Sequence, residues 1–132
     1  MIVRINSNVY RLVLLLLLTL LLPACSDVDM PQMPSQQWQE LDIALQSRPS
    51  PLQTGMNEFW IIATNPRGLP GDDMVVSLGK SRNGPWSQAI QDGHSGVYRR
   101  AVRISAGQYS VMLQLRRGRD QTVLEFPLLW PK

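Results

Sequence analysis

Few residues in this chain combine a reactive side chain with a useful spacing. There is one cysteine, Cys25, and one histidine, His94. Met30 and Met33 stand three apart between prolines, and thioether sulfurs on a flexible segment suit Cu(I). Two thioethers are too few, so His94 or Met56 would have to complete a copper site; the competing reading is a pair of tether methionines. His94 sits in the turn sequence Gly93-His94-Ser95-Gly96. Its neighbour Ser95 is adjacent in sequence, whereas a triad needs a separately positioned nucleophile and carboxylate. Asp72-Asp73 offers two carboxylates where calcium takes six or more oxygens, so the pair reads as turn residues bonding the local backbone. The other acids are scattered and no glycine-rich phosphate loop is present. The chain is therefore expected to be no enzyme and to hold no cofactor, with copper as the alternative.

Cys25 takes its meaning from what precedes it. Arg4 and Arg11 make the N-terminus basic, and Leu12 to Leu22 is apolar apart from Thr19. As a helix that run spans roughly 16 Å against a hydrocarbon core of about 30 Å, which fits a cleaved secretory segment rather than a membrane span. Leu22-Pro23-Ala24-Cys25 resembles a bacterial lipobox. The resemblance implies cleavage after Ala24, a diacylglycerol thioether on Cys25 and acylation of the new amine. Two or three chains anchor a protein lastingly where one does not. Ser26 at the second mature position, instead of Asp, implies export to the outer membrane in a Gram-negative cell. The expected location is the cell envelope, lipid-anchored and facing the periplasm. With Cys25 alkylated, no thiol remains for a disulfide, a metal or nucleophilic attack.

Removing residues 1–24 leaves about 108 residues, enough for one domain with a modest core. Of the 13 Lys and Arg, Arg4 and Arg11 leave with the leader, so 11 face 10 acidic residues. A net charge near +1 argues against nucleic acid as a partner despite the basic whole-chain balance.

The positioning elements follow from periodicity. Residues 25–37, the cysteine and SDVDMPQMPSQQ, read as a lipidated tether of polar composition, and 38–132 as the domain. From Trp38 onward apolar residues alternate with period two. The predicted strands run near 41–46, 57–64, 74–78, 88–91, 98–104, 109–115 and 122–128, punctuated by glycine and proline turns. Seven short strands without a helical period predict an all-β, immunoglobulin-like antiparallel sandwich.

Pro49-x-Pro51, Gly55-x-Asn57-x-Phe59-x-Ile61, Asn65-Pro66-Arg67-Gly68-Leu69-Pro70, Gly96-Val97-Tyr98 and Ala106-Gly107-x-Tyr109-x-Val111 together resemble the YtkA-like and FixH-like domains. These are membrane-facing bacterial β-sandwiches, some linked to copper handling or to assembly of copper-containing respiratory oxidases. The resemblance covers about residues 41–129 and implies the sandwich fold and an accessory role beside a respiratory or copper-oxidase complex. Metal-handling relatives place methionine and histidine after the third strand. Here that loop reads Gly79-Lys-Ser-Arg-Asn-Gly-Pro-Trp86, so no copper is expected there.

Two further groups suggest a surface for a protein partner. Phe59-Trp60-Ile61-Ile62-Ala63 is apolar on both faces, although a sandwich strand should have one wet face, and Leu128-Leu129-Trp130 repeats the pattern. Loops, chain ends or a partner must cover Trp60, Ile62 and Trp130. Arg99, Arg100, Arg103, Arg116, Arg117 and Arg119 cluster late in the chain. If the strands that carry them form a hairpin, Arg99, Arg103 and Arg116 share one face. That face is either a dock for an acidic partner or anionic headgroups, or a solvated face that protects a sheet edge.

Overall fold

The computed structural model describes residues 6–19 and 32–132. The N-terminal apolar run forms helix α1 (Ser7–Thr19). No helix among the described residues is long and apolar enough to cross a membrane. Pro23, Ala24, Cys25 and Met30 lie outside the described residues.

The alternating segments fold into two antiparallel sheets, the expected sandwich. Its strands are β1 (Gln36–Trp38), β2 (Leu41–Arg48), β3 (Gly55–Thr64), β4 (Val75–Gly79), β5 (Ser87–Gln88), β6 (Ile90–Gln91), β7 (Val97–Ile104), β8 (Ser110–Arg117) and β9 (Asp120–Pro127). One sheet has the order β1-β2-β3-β7-β6 and the other β5-β4-β8-β9. Setting β1 aside, this is the strand arrangement of an immunoglobulin-like sandwich. Ile43, Leu45, Phe59 and Ile61 of the first sheet face a core shared with Val76, Leu78, Leu113, Leu115 and Phe126 of the second, all almost fully buried. Period two places them there, because alternate side chains of a strand point to one side.

Tyr98 brings a hydroxyl into this core and satisfies it. Its Oη donates to the Gly71 carbonyl at 2.9 Å and accepts from the Met74 amide at 3.3 Å. Burial pushes its phenol above the usual tyrosine range.

Three local expectations give way to tertiary structure. The ordered domain begins before Trp38: β1 pairs with β2, Gln36 Nε2 donates to the Glu125 carbonyl at 2.5 Å, and Met33 and Trp38 pack against the core. Met33 and Gln36–Gln37, assigned above to the tether, thus belong to the sandwich, because burying a thioether and an indole offsets the entropy of ordering the segment. Second, residues 88–91 do not make one strand. Ser87–Gln88 pairs with β4, Ile90–Gln91 pairs with β7, and buried Ala89 marks the crossing between sheets, its amide donating to the Val76 carbonyl at 2.8 Å. Third, β7 and β8 form no hairpin. The Ser105–Tyr109 link carries the chain from one sheet to the other, so Arg99 and Arg103 lie in the first sheet and Arg116 in the second.

At one end of the sandwich a polar node ties the layers together. Arg117, on β8, gives Nη1 to Glu40 Oε1 at 2.6 Å and to Gln39 Oε1 at 3.1 Å, and Nε to Asp73 Oδ2 at 2.8 Å. Gln39 Nε2 in turn donates to Asp120 at 3.0 Å. Gln39 sits in the two-residue β1–β2 turn with φ 55°, a left-handed conformation uncommon for a residue with a side chain. The Arg117 guanidinium holds the Glu40 and Asp73 carboxyls below the usual carboxylate range, and both acids hold the guanidinium charged.

Candidate docking face

The anomaly of an apolar outer strand face resolves into a definite surface. On β3 the inward residues are Asn57, Phe59, Ile61 and Ala63, which leaves Met56, Glu58, Trp60, Ile62 and Thr64 on the outer side. Register puts Gln46 and Arg99 directly beside Trp60, Ala44 and Val97 beside Ile62, and Arg103 beside Met56. Ile90 of β6, 71 % exposed, pairs with Arg99 on the same face. Met56, Trp60 and Ile62 on β3, with Glu58 between the first two, are thus flanked by cationic side chains of the neighbouring strands.

Trp60 is the centre of that face. The Arg48 guanidinium stacks over its ring at 3.7 Å from the centroid, and the Arg99 guanidinium stands at 5.2 Å. Such contacts contribute about 0.5–2 kcal/mol and cover ring surface that would otherwise meet water. Arg99 also lies 3.8 Å from Glu58, both partly solvated, a weak pair. The indole Nε1 is buried and bonded to no acceptor among the described residues. An orphaned donor of this kind costs about 1–3 kcal/mol, more than an ordinary surface position tolerates. Trp60 and Ile62 are consequently half-buried, covered in part by this chain's own arginine.

The other expected site residues lie elsewhere. Trp130 is half-buried against the core, with Nε1 donating to the Gln108 carbonyl at 2.7 Å, so it fastens the C-terminal segment to the β7–β8 link and does not join the Trp60 face. Arg116 is exposed on β8, beside Val75 and Gln121 of the second sheet. Arg99 and Arg103 do share the Trp60 face.

Of the copper candidates, Met33 and His94 lie among the described residues, and they lie apart. Met33 packs against the core just before β1, which runs from there toward the Gln39–Glu40 turn. His94 lies at that turn's end of the sandwich, 92 % exposed, with Nδ1 3.3 Å from Asp72. Asp72 lies beside His94 and Asp73 pairs with Arg117, and among the described residues no three His, Cys, Asp or Glu side chains could hold a metal ion.

Sequence reasoning missed Arg48 and the Arg117 node. Arg48 ends β2 at a position that shares the outer side with Gln46, a parity readable locally; its approach to Trp60 depends on the β2–β3 register, which is not. Gln39 and Glu40 carried no signal, since a Gln-Glu pair is an unusual two-residue turn.

Comparison with family models, with curated proteins and with solved structures returned no match.

Proposed function

We propose that this protein is a non-enzymatic envelope lipoprotein, anchored through lipid on Cys25 and facing the periplasm. Its sandwich acts as an accessory, docking subunit of a membrane-associated complex. The observation that carries the docking role is Trp60. A half-buried indole with an orphaned N–H, roofed by an arginine and flanked on its own strand by Glu58 and Ile62, is a surface ready to exchange that arginine for a partner. The lipobox supports anchorage, with outer-membrane sorting favoured by Ser26. The YtkA-like and FixH-like resemblance makes a respiratory or copper-oxidase-related complex the natural class.

The test is affinity purification from solubilised membranes of the wild type and of a Trp60→Ser, Ile62→Ser double variant. The expected result is a defined complex with the wild type, and loss of that complex with a variant whose circular dichroism is unchanged. A variant that unfolds, or that keeps the complex, overturns the docking reading. Mass spectrometry of the Cys25 peptide checks the anchor independently: a free thiol still joined to Ala24 refutes it.

A further inference from the structure

We infer that the outer edge of β7 accepts an extended, acidic segment of a partner protein as an added strand. The β6–β7 ladder consists of Ile90↔Arg99 and Gln91↔Tyr98, and no described strand pairs with β7 on that side from Arg100 to Ile104. The direction of its backbone groups follows from two bonds. Gly96 O accepts from Ala63 of β3, and Val97 O accepts from Asp92 on the β6 side. Alternation then turns the N–H and C=O of Ala101 and Arg103 outward, so the edge offers two donor–acceptor pairs.

Beside that edge lies a cleft of about 300 Å³, where residues 87–88 still belong to the other sheet as β5, before the chain crosses to β6. Leu78, Val102, Ile104 and Val111 line it, with Lys80 and Arg103 among its walls and no acidic residue. Among the described residues, Lys80, Arg100 and Arg103 have no carboxylate at ion-pair distance. Strand addition draws affinity from main-chain bonds and specificity from alternate side chains. The incoming segment would place one apolar side chain in the cleft and carboxylates toward Lys80 and Arg103, which both line it. A second copy of this chain would bring the same cations face to face, and a lipid could not satisfy two pairs of backbone groups in register. Arg103 is common to this edge and to the Trp60 face, but the outward backbone groups and the cleft are not part of that face.

Binding of a synthetic peptide to the purified full chain in detergent tests it. The probe is acetyl-Asp-Leu-Glu-Val-Asp-Leu-Glu-amide, with its lysine-for-acid counterpart and a version N-methylated at alternate residues as controls. The acidic peptide is expected to slow exchange of the Ala101 and Arg103 amides about tenfold or more. Lys80→Glu with Arg103→Glu is expected to weaken it about tenfold or more, through lost charge complementarity. Arg103→Pro removes an outward donor without taking one from the β3 ladder and is expected to abolish binding. Equal binding of the basic or methylated peptide overturns the inference. So does the absence of protection at millimolar peptide. Equal protection of these amides by phosphatidylglycerol vesicles, or by self-association in ultracentrifugation, overturns it as well.

Discussion

Replacing Gly96 by alanine tests whether the end of the sandwich is held by backbone contact at that position. Gly96 has φ +70°, and a Cβ there would stand 2.6 Å from the Ala63 carbonyl oxygen and 3.1 Å from the Gly71 amide nitrogen. Those two atoms are bonded to each other at 2.9 Å, while the Gly96 carbonyl accepts from the Ala63 amide at 2.9 Å. Neither is the end of a flexible side chain, so relief requires the backbone to move. The left-handed conformation costs an alanine about 1–2 kcal/mol. Breaking one buried backbone bond adds about 1–3 kcal/mol. Reduced freedom of the unfolded chain returns about 0.4–1 kcal/mol. The net is a loss of about 2–4 kcal/mol. Gly93→Ala, three residues away at φ +60° with nothing within 4 Å of the added methyl, is the control and should lose about 1 kcal/mol or less. Urea unfolding followed by tryptophan fluorescence measures both, since Trp38, Trp60, Trp86 and Trp130 all report on the sandwich. At about 4–8 °C per kcal/mol for a domain of this size, melting points should differ by roughly 10 °C. Variants within about 1 kcal/mol of each other would show that this loop yields at little cost and would refute the contact argument.

Tyr98→Phe leaves the Gly71 carbonyl and Met74 amide without their buried partner and should cost about 1–3 kcal/mol by urea unfolding. Because burial raises the Tyr98 pKa, the folded state prefers the protonated phenol. Wild-type stability should hold below pH 10 and fall as pH climbs from there through the raised folded value, a decline that the phenylalanine variant lacks. At the acid end the sign reverses. Glu40 and Asp73 are lowered by Arg117, so their contribution is present above the ordinary carboxylate range and lost as pH falls through the lowered folded values. Arg117→Gln should flatten that acid limb in melting curves between pH 2 and pH 6, by a small amount because both acids are more than half exposed. Met33→Ala should cost about 1–2 kcal/mol in melting experiments if the thioether packs against the core, and nothing if it belongs to a solvated tether.

The face that a docking role needs is assembled from three strands. Trp60 is an ordinary apolar residue in isolation; Arg48 and Arg99 give it its character, one from β2 and one from β7. The β7 edge has the same origin. It exists because the chain enters the first sheet only after Ala89, so that β6 covers β7 at Tyr98 and Arg99 and leaves Ala101 and Arg103 beside a cleft instead of beside a neighbour.

The sequence by itself determined the longer strands and their buried sides, though not β1 or the division at Ala89. Alternation has period two, a property of adjacent residues, and Ile43, Phe59, Val76, Leu113 and Phe126 all face inward as that pattern requires. Turn glycines likewise announced where strands end, as at Gly96 and Gly107, both at positive φ. Only the tertiary structure decided which strand lies beside which. The Ser105–Tyr109 link suits a hairpin or a crossing between sheets equally well, and the crossing separates Arg116 from Arg99 and Arg103. The short stretch 87–91 belongs to both sheets because each sheet has an open margin to pair with there, and Met33 joins the core because the sandwich offers it a place to pack. Such choices rest on contacts between residues far apart in the chain, whose pairing energies exist once the sheets have met.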